Sequence, residues 1–271
     1  MAKRRRAWNY SVYKKYLREG RGQGVGADYK PWINIQDFPS LGMVSRVSST
    51  TAGRIHHLMS NLELSLFYLL DWSDDIIDIR EQYPLTDLPQ AIEIAEKANI
   101  KYPYDQKSGF PYVLTSDFYL DTNQGAMVMS VKPSSELGKP RVREKLEIER
   151  RYWASRGTQW SIMTENEINR VKANNIEWLA QAKDLSVFGL SEATQEACRE
   201  YFLRFYQADS SPLPTLFKTV EIAFGLASGM GLNIYKHLAY WKQIVFNSDE
   251  RVDFTEFLIP GLHYDGGAAW A

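Results

Sequence analysis

Glu63, Asp117 and Lys132 are the residues of this sequence whose types and placement suit phosphodiester hydrolysis. Asp117 and Lys132 lie near the two ends of the segment TSDFYLDTNQGAMVMSVKP (Thr115 to Pro133), which reads as a hairpin. One arm is Ser116 to Asp121, Thr122 to Gly125 has turn chemistry, and Ala126 to Lys132 forms the second arm. Strand side chains alternate faces, so Asp117, Tyr119 and Asp121 share one face, as do Val128, Ser130 and Lys132. Folding the arms together sets Asp117 across from Ser130 and Lys132. Glu63, on a helix, would supply a second carboxylate. Mg²⁺ prefers carboxylate oxygens and keeps several waters. A bound metal acidifies its water and neutralises charge on the phosphate. A lysine can orient or deprotonate the attacking water and offset developing charge.

Spacing alone leaves other readings open. Acid and lysine at such separations arise by chance in many proteins. Asp117 would also serve as a turn residue at a strand start, and Lys132 as an edge-strand guard. Ser60-x-x-Glu63 matches a capping box, and spacing by itself favours that role over metal ligation. GRGQGVG (Gly20 to Gly26) follows no predicted strand and lacks the Lys-Ser/Thr ending of a nucleotide loop, so a nucleotide site is not expected. His56 and His57 precede the Glu63 helix, where a structural or DNA-contact role is favoured over catalysis.

The elements that must hold these residues follow from pattern. Leu58, Leu62, Leu66, Leu69 and Leu70 recur at helical spacing, with regular structure expected from near Ser60. The first 55 or so residues look irregular, apart from a basic, aromatic-dotted Met1 to Glu19 that reads as a helix or arm, lying on phosphate or solvated. Ile76 to Leu85 alternates like a strand and ends at Pro84. Pro140 to Arg156 is a charged helix with proline at its start and Gly157 past its end. Its acids, Glu144, Glu147 and Glu149, interleave with basic residues, which suits a solvated face. Thr158 to Glu165 is another strand. Helix, strand, hairpin, helix, strand is an α/β core with a mixed sheet flanked by helices. From Asn169 the pattern changes: 174–182, 191–206, 216–227 and 232–240 look helical, then Trp241 to Phe246 and Val252 to Phe257 look like two short strands. That order suits a winged helix. The expected domains are residues 1–168 and 169–271.

Bulk properties narrow the class. Net charge is −1, so any contact with nucleic acid must come from local patches rather than a global field. Cys198 is the single cysteine, which excludes an intramolecular disulfide and a cysteine-based metal site. No run approaches the ~18 consecutive apolar residues of a membrane helix. No apolar run follows the basic start at Lys3 to Arg6, so a signal peptide is not expected. A reducing cytoplasm is the expected location.

Several ordered segments carry a resemblance: REGRGQGVGADYKPW (Arg18 to Trp32), GRIHHLMSNLELSLF (Gly53 to Phe67), DIREQYPL (Asp78 to Leu85), TSDF (Thr115 to Phe118), VKP (Val131 to Pro133), EKLEIERRYW (Glu144 to Trp153) and NNIEWL (Asn174 to Leu179). With these the sequence resembles the TnsA family, endonuclease subunits of heteromeric TnsA/TnsB bacterial transposons. The match covers most of residues 18 to 180 and thins beyond about 185. It implies a restriction-endonuclease-like catalytic domain at 1–168, followed by a smaller helical, winged-helix-like domain at 169–271. It implies Mg²⁺, with Mn²⁺ as a substitute, held by Glu63, Asp117 and the Val131 backbone carbonyl, with Lys132 as the catalytic lysine. It therefore reverses the reading of Glu63 as a cap alone. The family places an acid or amide two residues before the lysine; here that residue is Ser130, a poorer ligand, which puts metal affinity in question more than reaction class. The implied function is cleavage of the 5′ strands at transposon ends. A TnsB-type transposase would act on the 3′ strands, and a TnsC-type AAA+ regulator would be contacted through the C-terminal domain. The alternative is a catalytically silent scaffold bridging transposase and regulator.

Overall fold

The computed structural model describes residues 8–37, 44–208 and 212–252. They fall into two compact units, Met1–Ile168 and Asn169–Ala271. No helix among the described residues is long and apolar enough to cross a membrane.

The first unit opens with α1 (Tyr10–Arg18), whose N-cap Asn9 side chain accepts from the Val12 amide. Its aromatic residues do not project as an arm. Trp8 donates its indole N–H to the Pro111 carbonyl at 2.8 Å, and its ring sits among Tyr13, Tyr16, Trp32 and Tyr112. Strands β1 (Ser45–Ser48) and β2 (Ile55–Leu58) pair antiparallel, so regular structure begins well before Ser60, contrary to expectation. Strands this short carry too little alternation to register as a pattern. Asp71, at the end of α2 (Asn61–Asp71), fixes their connection by accepting from the Thr50 and Thr51 amides at 3.1 Å.

The main sheet has the order β3-β4-β5-β6, from β3 (Ile76–Pro84), β4 (Thr115–Thr122), β5 (Gly125–Val131) and β6 (Gln159–Met163). β4 runs antiparallel to both β3 and β5, whereas β6 lies parallel to β5 through the crossover helix α4 (Pro140–Ala154). The expected mixed α/β sheet is therefore present. Between β3 and β4 the chain also forms α3 (Leu88–Lys97), capped by Asp87 with a proline in its first turn. One core joins α2 (Leu62, Leu66, Phe67, Leu70) to Ile79, Phe118, Leu120 and Val131 of the sheet. A second joins α3 and α4 (Leu88, Ala91, Ala95, Ile148, Tyr152, Trp153) to Val128. Burying apolar area on both faces, worth roughly 25 cal/mol per Å², holds the sheet between helical layers.

The second unit contains α5 (Arg170–Ala180), α6 (Glu192–Ala208), α7 (Leu213–Phe224) and α8 (Met230–Tyr240). Cys198 is free and buried. The four helices match the periodic segments of the sequence. The expected strand at Trp241–Phe246 does not form: that stretch is turn and coil after the α8 C-cap, with Lys242 at φ +55. Its apolar residues reflect burial of Ile244 and Phe246 rather than strand alternation. Most of the second expected strand, Val252–Phe257, lies outside the described residues.

Candidate active site

The site forms where β4 and β5 diverge. Their pairing runs from Thr122↔Gly125 to Phe118↔Met129. β5 continues against β6 as far as Val131↔Met163, and the Lys132 amide donates to the Met163 carbonyl at 3.1 Å. Asp117 is the first β4 residue past the last pair with β5. Its Oδ2 accepts from the Val131 amide at 2.6 Å and from Lys132 Nζ at 2.8 Å. Asp117 thus lies across from the Ser130 to Lys132 end of β5, as expected, although the ladder itself stops at Phe118↔Met129. Its carboxylate satisfies an N–H that the diverging strand would leave without a partner. The Asp117–Lys132 contact is present, made by divergence rather than by register.

Glu63 reaches the same place from the first turn of α2. Ser60 is the N-cap: its Oγ accepts from the Glu63 amide at 3.1 Å and donates to Glu63 Oε1 at 2.9 Å. Oε2 accepts from the Met59 amide at 2.9 Å. The carboxylate therefore bonds back one residue before the cap, a variant of the capping box. Glu63 is only 6% exposed. Burial and then the charge of Asp117 push its pKa up to about 7, against the opposing pull of the Met59 and Ser60 hydrogen bonds and Lys132. The capping geometry also sets the Glu63 carboxylate near Asp117 and Lys132.

Lys132 Nζ also donates to the Val131 carbonyl at 2.7 Å. Burial disfavours its charge, but Asp117, Glu149 and Glu63 together outweigh burial and raise its pKa. It is held as an ammonium, which suits offsetting charge and orienting water rather than removing a proton.

Sequence reasoning missed Glu149. Placed among the solvated charges of α4, it is instead buried, with Oε2 accepting from Ser130 Oγ at 2.5 Å and Ser116 Oγ at 3.1 Å. Trp160 and Trp153 donate their indole N–H groups to those two hydroxyls, at 3.1 and 2.8 Å. Burial and the Asp117 charge raise its pKa to about 7, against Lys132 and the two hydroxyls. The available signal was spacing: Leu146, Glu149 and Trp153 fall at i, i+3 and i+7, on the apolar stripe of α4. Ser130 is 1% exposed, and its hydroxyl is committed to Glu149 and Trp160.

The other candidates resolve differently. His56 is fully buried, with Nδ1 2.8 Å from Glu81 Oε2 and its ring 4.8 Å from Phe67, a structural placement. Arg54 also pairs with Glu81, which burial would raise but the His56 and Arg54 bonds hold down at about 2. His57 lines a cavity of about 300 Å³ with Arg21, Lys30, Asn34 and Arg54. The glycine loop is closed on itself: the Gly22 amide donates to the Lys30 carbonyl at 2.6 Å and the Lys30 amide to Gln23 at 3.0 Å. A Cβ at Gly22 would stand 2.3 Å from Pro84 Cγ, so glycine is needed for the loop to lie against β3.

A divalent metal fits the donor chemistry here in part. Glu63 and Asp117 are two buried carboxylates whose mutual repulsion raises Glu63, and a cation would relieve it. The Val131 carbonyl adds a third oxygen, joined to Asp117 through Lys132. No group of three or more His, Cys, Asp or Glu side chains disposed to hold a metal occurs among the described residues. Mg²⁺ held by one or two carboxylates plus waters and phosphate oxygens does not require one.

Comparison with known proteins gives two adjoining matches. Residues 73–165 match the family described as TnsA-like endonuclease N terminal, and residues 167–247 match TnsA endonuclease C terminal. The chain is also similar to the Escherichia coli protein described as transposon Tn7 transposition protein TnsA. The two are 37% identical over 263 residues, spanning 91% of this chain and 89% of that protein.

Proposed function

Starting from the fact that the chain belongs to the TnsA-like endonuclease family, we propose that it cuts the 5′ strands at transposon ends by metal-dependent hydrolysis, with Glu63, Asp117 and Lys132 as its active site. The observation that carries this reading is the convergence of two buried carboxylates and a lysine at the point where β4 and β5 diverge.

The carboxylates of Glu63 and Asp117 and the carbonyl of Val131 would hold Mg²⁺, or Mn²⁺ in its place. Such an ion supplies a more acidic water and neutralises phosphate charge. Asp117 orients Lys132, whose ammonium faces the charge that develops on the scissile phosphate. Ser130 serves as the hydroxyl anchor of Glu149 rather than as a ligand. The unit Met1–Ile168 is the catalytic domain in this reading. The 3′ strands belong to a TnsB-type transposase, and the second unit contacts a TnsC-type AAA+ regulator.

A silent scaffold is the rival, favoured by a hydroxyl at position 130 where the family carries an acid or amide. The two readings differ in transposition products. If both donor strands are cut, cells carrying this chain and its partners yield simple insertions, and Asp117→Ala yields cointegrates. Cointegrates from the parent chain would overturn the enzyme reading.

A further inference from the structure

Gln82 is the residue of β3 that stands apart. Its φ is +49, inside a strand, in the left-handed region that strains a non-glycine residue. The flanking pairs Glu81↔Phe118 and Tyr83↔Ser116 set it opposite Asp117. Its side chain is buried, with Nε2 3.5 Å from Glu63 Oε2 and Oε1 accepting from Thr115 Oγ1 at 3.2 Å. Its carbonyl accepts from the Trp32 amide at 3.3 Å, so the N-terminal segment holds the strained backbone in place. The Thr115 hydroxyl fixes the carboxamide with its N–H side toward Glu63. One amide thus lies beside the Glu63 carboxylate, from the β3 position opposite Asp117.

The geometry points to Gln82 as a positioning residue: its carboxamide holds Glu63 in place beside Asp117 against their repulsion, so that the pair is set for a divalent cation. This rests on the reading of Glu63 and Asp117 as metal ligands. The left-handed backbone is the local cost of aiming the carboxamide inward. The polar groups around metal ligands commonly govern affinity by 10- to 100-fold.

The test is Mn²⁺ binding to the full chain, by electron paramagnetic resonance or calorimetry, alongside thermal stability. Gln82→Gly removes the amide yet suits φ +49, so its Tm stays within a few degrees of the parent. Its Mn²⁺ affinity falls by about tenfold or more. Gln82→Asn, which keeps a carboxamide and tolerates this backbone, recovers part of that loss. Parent affinity in Gln82→Gly, with Asp117→Ala abolishing binding, overturns the role of Gln82 alone. Absent binding in the parent, or binding untouched by Asp117→Ala, overturns the metal site and this role with it.

Discussion

Lys132 Nζ lies 2.8 Å from Asp117 Oδ2, the same oxygen that accepts the Val131 amide at 2.6 Å. A single carboxylate oxygen therefore terminates β5 and fixes the lysine. The strand end and the site's positive charge are set by one atom.

Removing that charge has a defined consequence. Lys132→Met lowers single-turnover 5′-strand cleavage by on the order of 10²- to 10³-fold, the loss typical of a removed transition-state donor. Lys132→Arg does not restore it, because a planar fork cannot take the place of a compact ammonium between Asp117 and the Val131 carbonyl. Cleavage near the parent rate in Lys132→Met would exclude the assigned role.

The two duties of Glu63 separate by substitution. Ser60→Ala removes the N-cap oxygen and costs about 1 kcal/mol of stability, with cleavage retained. Glu63→Gln keeps one carbonyl oxygen to accept from the Met59 amide and can turn its own N–H toward the Ser60 hydroxyl, but it loses the charge, and it abolishes cleavage while the fold persists. Urea denaturation and cleavage assays on both variants check this, and an active Glu63→Gln is the outcome that defeats it.

Glu149 sets a pH dependence. Its folded pKa of about 7 lies above the ordinary value of 4.5. The stability gained from its neutral form is full below about pH 4.5 and lost as pH rises through 7. Glu149→Gln is then close to the parent in Tm at pH 5 and more stable at pH 8, by on the order of 2–3 kcal/mol. Thermal melts at the two pH values decide it; an equal difference at both would refute the buried neutral acid.

Gly24 is constrained by backbone. Its φ is +93, and a Cβ there would stand 2.5 Å from the Asp28 carbonyl oxygen. Gly24→Ala destabilises the first unit by on the order of 2 kcal/mol or more. A chemical denaturation midpoint unchanged from the parent would show that the loop closes some other way.

Long periodic segments were legible in the sequence. The leucine spacing of α2, the hairpin from Thr115 and the proline-to-glycine span of α4 all appear where pattern set them. Short elements fixed by tertiary contacts were not. β1 and β2 depend on Asp71 far along the chain, and α1 on an aromatic cluster drawn from three segments. The contact between Asp117 and Lys132 was legible, but not its cause, since strand divergence leaves no mark on alternation. Glu149 was hidden among charged neighbours whose sign and spacing match a solvated helix face. Gln82 gave no local signal at all, because its left-handed backbone is imposed by neighbouring segments.

The proposed function turns on cleavage of the 5′ strand through Asp117. It is checked by supplying transposase, regulator, donor DNA and Mg²⁺ and mapping donor 5′ ends for the parent chain and Asp117→Ala. The parent is expected to give cut 5′ ends and Asp117→Ala intact 5′ ends. Intact 5′ strands with both, or cut strands with both, would contradict it.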